Sequence, residues 1–283
     1  MIGLSTTYYA TQGLSIYESV LRTVELGFDV VEFGAAHVYE DNILSVLRKV
    51  KKDFPHVNFT IHTLFPPLRD RTWFNPANGL SKLNRKIVDG LFWAADIVDA
   101  MIISIHLPIF HDIELRGKNT GGFNAPKICN PKDEYTSKRN FSCLMDYMMK
   151  RNESSGRRIV VENMCSSMPS TYPFTKNEFQ ELFNEFINTG MVLDVGHALQ
   201  SGNLNELLEL ERNIFELHLH EIGFAPDVGM RSHFPIKNMS YFEPLKKIIR
   251  NDSVIPIFEH GADVTEEDII NEKCLLEEFL KMN

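Results

Sequence analysis

Carboxylates and histidines recur at the ends of apolar segments along this 283-residue chain. The stretch MVLDVGHALQ, residues 191–200, places Asp194 and His197 three positions apart at such an end. Other segments end in the same residue types: Glu32, His62, His106, Glu162, His218, His220, Glu259 and His260. Carboxylates and imidazoles that converge without thiolates suit Zn²⁺, Mn²⁺, Co²⁺ or Mg²⁺, and a high histidine content favours Zn²⁺ or Mn²⁺. The four cysteines are scattered and form no C-x-x-C pair, so neither a thiolate zinc site nor a disulfide framework is predicted.

Eight short segments rich in Val, Ile, Leu and Phe are predicted to be strands: 2–7, 28–34, 57–63, 100–107, 157–164, 191–198, 214–221 and 254–261. Several are almost continuously apolar, which is typical of parallel strands covered on both faces. Helical spacing of apolar residues lies between them, as in 15–27 and 177–190, which both end in glycine, and in the closing segment 266–282.

Eight strands alternating with helices predict an α/β fold, a (β/α)₈ TIM barrel that spans residues 1–283 as a single domain. In such barrels the reaction site lies at the C-terminal ends of the strands, where the polar residues of this chain fall. The irregular stretch 108–137 follows the fourth strand and is predicted to be an active-site loop. His37 and His56 are predicted to face solvent.

The seventh strand contains two candidate ligands. Alternation places Leu217 and Leu219 on one face and His218 and His220 on the other, so both histidines point the same way. Either one could bind a metal, and the sequence leaves the choice open.

Composition limits the setting of the protein. No apolar stretch reaches the length of a membrane span and no charged leader precedes one, so we expect a cytoplasmic protein without membrane association. The net charge of −9 means that the whole surface does not attract nucleic acid, although a local basic groove could. A homo-oligomer is compatible with the sequence.

The segments IHTLFPP, SIHLP, VVEN, LDVGHA, LHLHE and IFEHG resemble the xylose isomerase-like barrel superfamily. That group includes sugar isomerases and epimerases, and also endonuclease IV, which cuts DNA at abasic sites. The resemblance implies that a central metal is held by Glu162, Asp194, His218 and Glu259.

The same resemblance assigns four further histidines. His62 and His106 match histidines that join the metal cluster of endonuclease IV and line the substrate pocket of many isomerase relatives. His197 matches a D-x-x-H motif, and His233 matches a downstream D-x-H motif whose aspartate helps endonuclease IV to hold a third zinc. Arg231 stands in place of that aspartate, and a cation cannot ligate a metal. The chain also lacks the G-A-H-x-S opening of endonuclease IV.

Three functions follow from these assignments. The first is a metal-dependent isomerase or epimerase of a small carbohydrate, in which Glu162 and Glu259 are both ligands and acid–base groups, and His197 and Arg231 orient the substrate. The second is a zinc-dependent, endonuclease IV-like phosphodiesterase in which further metals are held by His62, His106, His197 and His233. It would bind abasic DNA through Arg116, Lys118, Lys127, Lys132, Lys138 and Arg139. The third is a binding protein without activity. One metal per chain favours the first function, and two or three favour the second.

Overall fold

Eight parallel strands close into a barrel in the computed structural model, which describes residues 1–70, 72–115, 126–168, 170–225 and 229–282. Neighbouring strands follow the order β1-β12-β9-β8-β7-β4-β3-β2. These strands are β1 (Gly3–Ser5), β2 (Val30–Phe33), β3 (Asn58–Ile61), β4 (Ile102–His106), β7 (Arg158–Glu162), β8 (Thr189–Asp194), β9 (Ile214–Leu219) and β12 (Ile255–Phe258). The predicted TIM barrel is therefore confirmed.

The four remaining described strands form two antiparallel hairpins, each of which follows the C-terminal end of a barrel strand. The first hairpin consists of β5 (His111–Leu115) and β6 (Pro126–Pro131), and the second of β10 (Glu221–Ala225) and β11 (Gly229–Phe234). The prediction that 108–137 is an irregular loop was therefore wrong for its two flanks, while residues 116–125 lie outside the described part of the chain.

The described helices are α1 (Thr7–Thr11), α2 (Ile16–Glu25), α3 (Ile43–Asp53), α4 (Lys82–Val98), α5 (Glu134–Asn152), α6 (Lys176–Glu185), α7 (Val195–Ser201), α8 (Leu204–Leu208), α9 (Lys246–Ile249) and α10 (Glu266–Lys281). Capping boxes begin α2, α6 and α10, because each N-cap hydroxyl and the acidic residue three positions later bond each other's backbone amides. None of the helices in the described ranges is long and apolar enough to cross a membrane.

The helix predicted over 177–190 is shorter than expected. It ends at Glu185, and Gly190 lies inside β8 instead of capping the helix. A Cβ added at Gly190 would come within 2.2 Å of the Phe215 ring, so a close approach of neighbouring strands explains this glycine.

The barrel interior is layered, and the layers place the site. A small apolar cluster fills the barrel interior below the C-terminal ends of the strands and includes Val30, Val160, Val192 and Ile257. Because alternate side chains of a strand share one face, the inward residue two positions later on each strand lies one layer higher. Those residues are Glu32, Glu162, Asp194 and Glu259, and all of them are buried. The strands therefore direct four carboxylates into one space.

Candidate metal centre

The four residues predicted to hold a metal meet at the C-terminal end of the barrel. One candidate ligand atom from each lies within 4.8 Å of those from the other three, and none of the four residues is more than 7% exposed. Strand register contributes directly, because Asp194 of β8 pairs with His218 of β9. We call this group the central cluster: Glu162, Asp194, His218 and Glu259.

The two ring nitrogens of His218 have different surroundings. Nε2 lies 3.0 Å from Glu32 Oε2 and 3.3 Å from Glu216 Oε1. Nδ1 has no hydrogen-bond partner among the described residues and lies 3.3 Å from Glu259 Oε2 and 3.5 Å from Glu162 Oε1. A neutral ring that donates its Nε2 proton to Glu32 presents its Nδ1 lone pair to these carboxylates. A cation between them would satisfy all three groups.

Asp194 is held from two sides. Its Oδ1 accepts the backbone N–H of His197 at 2.6 Å and caps α7, while its Oδ2 lies 2.9 Å from Nε2 of His220. The other ring nitrogen of His220 accepts the backbone N–H of His233 at 3.0 Å. Since both nitrogens of His220 are engaged and Nδ1 of His218 is not, the geometry favours His218 over His220 as the ligand from the seventh strand.

A second group shares Glu162 with the central cluster. Nε2 of His62 and Nε2 of His106 lie 2.9 Å from each other and 3.2 and 3.3 Å from Glu162 Oε2. His62 Nδ1 lies 2.7 Å from the hydroxyl of Ser104, which in turn reaches the carbonyl of Ile61 at 3.4 Å. If the hydroxyl donates to that carbonyl, His62 donates from Nδ1 and its Nε2 lone pair faces Glu162. We call this group the side cluster.

The other two predicted histidines border the central cluster. His197 Nδ1 lies 3.4 Å from Asp194 Oδ2, and His233 Nδ1 donates to the carbonyl of Glu259 at 2.9 Å. With His220 they form a third group whose candidate ligand atoms lie within 4.8 Å of one another. The structure therefore brings the four predicted metal ligands and the four further predicted histidines around one space.

The electrostatics of the central cluster attract positive charge. Burial opposes ionisation of His218, but the carboxylates of Glu32 and Glu259 raise its pKa well above the usual value. Burial also opposes the charged form of His197. Nearby carboxylates, of which Asp194 has the largest effect, outweigh burial and raise the pKa of His197 to about 9. In return, His218 lowers the pKa of Glu259 despite the opposing effect of burial. In the metal-free site, protonated His197 and His218 balance part of the negative charge of these carboxylates.

Comparison with known proteins places the chain in a family. The sequence model of the family described as "Xylose isomerase-like TIM barrel" matches residues 20–269. The chain belongs to this family. An uncharacterized protein of Methanocaldococcus jannaschii is 23% identical over 268 residues, which cover 91% of each chain.

Two solved structures illustrate the breadth of the xylose isomerase-like fold. A D-tagatose 3-epimerase-like protein superimposes with a TM-score of 0.68 and 21% identity, covering 99% of this chain and 97% of that chain. Endonuclease IV from Thermus thermophilus gives a TM-score of 0.61 and 13% identity, covering 99% of this chain and 98% of that chain. At these identities the likeness shows a common fold, and the chemistry must be argued from the site.

The central cluster of this family member fits a divalent cation. Nδ1 of His218, which faces Glu259 and Oε1 of Glu162, and Oε2 of Glu162, which faces His62 and His106, are buried and lack a hydrogen-bond partner among the described residues. Buried polar atoms normally have partners, so these two require an explanation, and a cation supplies one. Three carboxylates and one imidazole without a thiolate form a donor set that suits a divalent cation.

Glu216 borders the site and was not predicted, and His37 was placed wrongly. Glu216 is fully buried, and burial together with the nearby Glu32 raises its pKa to about 7. The alternation of side chains along the strand could have revealed Glu216, because it lies two residues before His218 and therefore on the same face. His37, predicted to face solvent, is buried with Nε2 2.8 Å from Thr6 Oγ1, and burial lowers its pKa to about 3.

The predicted role of Arg231 concerns a side chain outside the described part of the structure. Its backbone lies in β11, opposite Gly223 of β10. The position thus belongs to the hairpin that follows β9, two residues before His233.

Gly196 gives a first prediction about the packing of this site. A Cβ added there would lie 1.9 Å from Cε1 of the His220 ring. We expect Gly196→Ala to lower the free energy of unfolding by about 1–3 kcal/mol, because the ring or α7 must shift. Urea unfolding measures this. Gly261→Ala is the control, since a Cβ there meets nothing within 4 Å; equal stability of the two variants would contradict the prediction.

Proposed function

We propose that the protein is a divalent-metal-dependent isomerase or epimerase of a sugar, sugar phosphate or related hydroxy-ketone. The observation that carries the proposal is a pair of carboxylates close to one nitrogen: Glu259, directly after β12, and Glu162, at the end of β7, lie 3.3 and 3.5 Å from Nδ1 of His218. A ligand bound at this point would have both carboxylates beside it. A two-base mechanism of stereochemical inversion uses such a pair.

The difficult step in this chemistry is removal of a proton from the carbon next to a carbonyl. A bound divalent cation supplies electrostatic stabilisation for the negative charge that develops on the substrate oxygens. One of Glu162 and Glu259, as the carboxylate, would take the proton from carbon, and the other, in its protonated form, would return a proton. Return to the same carbon from the opposite face gives an epimer. Return to the neighbouring carbon, with the hydroxyl proton moving to the former carbonyl oxygen, gives an isomer.

Residues around the central cluster would bind and orient the substrate. In metal-free protein the carboxylates of Asp194 and Glu162 raise the pKa of His197 to about 9 against the effect of burial. In the metal-bound site His197 would donate a hydrogen bond from its ring to a substrate oxygen. In this proposal Arg231 binds a hydroxyl or an anionic group of the substrate from the hairpin.

The side cluster favours a second candidate, an endonuclease IV-like phosphodiesterase. His62, His106 and Glu162 offer a second set of candidate ligands within 4.8 Å of one another, and two adjacent metals suit the displacement of a phosphate oxygen. This candidate also needs a basic surface that contacts the DNA backbone.

The charges near the first hairpin do not favour that DNA surface. Lys132 lies 2.6 Å from Asp112, and Lys138 lies 2.7 Å from Glu134. Lys127 is paired with Glu114 at 3.4 Å. Because each of these lysines has an acidic neighbour, the positive potential that they offer to phosphates is reduced. Arg116 and Lys118 lie outside the described residues, and Arg139 is exposed without an ion pair to another described residue. The isomerase or epimerase therefore remains our proposal.

A paired assay tests the two candidates. Purified protein is analysed for metal content and incubated in D₂O with ketoses and ketose phosphates, and NMR measures exchange of the proton next to the carbonyl. The same protein is incubated with an oligonucleotide that contains an abasic site. We expect about one metal per chain and exchange of the carbon-bound proton. Cleavage of the oligonucleotide without exchange on any ketose would overturn the proposal in favour of the phosphodiesterase.

Arg231 separates the two candidates further. A charge-assisted hydrogen bond contributes about 1.5–3 kcal/mol, so Arg231→Asp should lower kcat/KM on the substrate by about 10- to 100-fold. Arg212→Asp makes the same change at an exposed position before β9 and should have little effect. A rise in abasic-site cleavage and zinc content of Arg231→Asp would instead support a nuclease site.

A further inference from the structure

His220 lies between a residue of the central cluster and the second hairpin. Its Nδ1 is 3.0 Å from the backbone N–H of His233, which can only donate. Nδ1 is therefore the acceptor, the ring proton is on Nε2, and Nε2 donates to Oδ2 of Asp194 at 2.9 Å. In this tautomer the carbonyl of Glu221, 3.5 Å from Nδ1, is not a hydrogen-bond partner. One neutral ring thus bonds Asp194 on one side and β11 on the other.

Packing fixes this ring in place. His220 is fully buried, and the absence of a Cβ at Gly196 gives the ring its room against α7. The hydroxyl of Tyr241 donates to the His220 carbonyl at 2.9 Å. The ring also lies against that of His233, with centroids 4.1 Å apart. A ring held by backbone, side-chain and packing contacts has little freedom to turn away from Asp194.

The hairpin residue at the other end of the link has an uncommon backbone conformation. His233 has a φ of +66°, which non-glycine residues rarely adopt and which requires support from its surroundings. Its N–H is bonded to His220, and its side-chain Nδ1 donates to the carbonyl of Glu259. These two bonds therefore connect His233 to Asp194, by way of His220, and to the backbone of Glu259.

We propose that His220 is a positioning residue that links Asp194 to the β10–β11 hairpin, so that metal binding at the central cluster and the conformation of the hairpin at His233 are coupled. The inference rests on the proposed function in one respect, namely that Asp194 holds the metal. A bond to Asp194 orients the carboxylate as a ligand, and outer partners of this kind change metal affinity by about 10- to 100-fold. Coupling acts in both directions, so a bound metal should stabilise the hairpin bond as well.

Three substitutions separate the two bonds of the ring. The amide nitrogen of glutamine reaches about as far as Nε2, so His220→Gln keeps a donor for Asp194 and loses the acceptor for His233. The amide oxygen of asparagine matches Nδ1, so His220→Asn keeps the acceptor and loses the donor. His220→Leu loses both. Zn²⁺ affinity is measured by competition with a chelator, the exchange rate of the His233 amide by NMR or mass spectrometry, and global stability by urea unfolding.

The two bonds predict different results for each variant. Zn²⁺ affinity should fall by about 10- to 100-fold in His220→Asn and His220→Leu and stay near wild type in His220→Gln. Exchange of the His233 amide in metal-free protein should be about tenfold faster in His220→Gln and His220→Leu than in wild type or His220→Asn. Zn²⁺ should slow this exchange in wild type and not in His220→Leu.

Each alternative result has a distinct meaning. Equal Zn²⁺ affinity and equal exchange in all variants, at stabilities well above unfolding, would overturn the inference while leaving the proposed function intact. No Zn²⁺ binding by wild type would contradict the proposed function. In that case the exchange rates of the metal-free proteins still decide whether His220 holds the hairpin, and unchanged rates would overturn the link.

Discussion

Glu162→Gln is expected to lower kcat by about 10²–10⁴-fold, the range that a positioned acid–base group contributes. Glu162 is the residue shared by the two clusters: its Oε2 faces His62 and His106, and its Oε1 lies 3.5 Å from Nδ1 of His218. Glutamine keeps the shape of the side chain but carries no negative charge and cannot take up a proton from carbon. Turnover of the active ketose and proton exchange in D₂O measure the loss.

Glu259→Gln should cause a loss of similar size, because the proposed mechanism requires a carboxylate on each side of the carbon. Glu272→Gln is the matched control, since Glu272 is also fully buried and its carboxylate lies 2.8 Å from Nε2 of His260, outside the central cluster. If turnover falls equally in the control, loss of a buried charge explains the effect. Near wild-type turnover of either cluster variant would disprove the two-carboxylate mechanism.

The fold could be predicted from the sequence because its signals are local and repeated. Each barrel strand is a short apolar segment, and alternation fixes which residue of each segment faces inward. This is why Val160 and Glu162, or Val192 and Asp194, occupy successive layers of the interior. The boundary of α6 was missed because the apolar pattern continues to Phe186 after the helix has ended at Glu185. The need for a glycine at position 190 could not be predicted, because the ring that leaves no room for a side chain there belongs to Phe215, which is distant in sequence.

The composition of the central cluster could also be predicted, but the roles of neighbouring histidines could not. His218 and His220 face the same way along the strand, so periodicity cannot choose between them. The distinction comes from bonds between distant segments: Glu32 lies 3.0 Å from Nε2 of His218, while a backbone amide of β11 occupies Nδ1 of His220. His37 was misplaced for the same reason, since its partner Thr6 belongs to a different strand–helix connection.

Removal of the metal is expected to abolish turnover completely, and addition of Zn²⁺ or Mn²⁺ is expected to restore it. Without a cation, the carboxylates of Glu162, Asp194 and Glu259 lie close together in a buried space with only the histidines to balance them. A metal that binds the folded state also stabilises it, by about 2.7 kcal/mol at a free concentration one hundred times the Kd. Dialysis against a chelator, with activity and Tm measured before and after reconstitution, tests both effects. Activity that survives complete removal of metal would contradict the proposed function.

The stabilisation by metal should also grow as the pH rises from 6 to 9. In the metal-free site, carboxylates raise the pKa of His197 to about 9 against the effect of burial, above the value of about 6.5 that an unfolded histidine has. The stability that this charged histidine contributes is therefore complete below about pH 6.5 and is lost as the pH rises through 9. Burial raises the pKa of Glu216 from 4.5 to about 7, so metal-free protein also loses stability as the pH rises from about 4.5 to 7, and loses no more from this residue at higher pH. A bound cation replaces these protons, and if one proton is displaced, metal affinity increases about tenfold per pH unit across this window. Urea unfolding of metal-loaded and metal-free protein at pH 6, 7.5 and 9 measures the difference. A difference that stays constant or narrows would mean that the metal does not bind in the space that His197 and the central cluster surround.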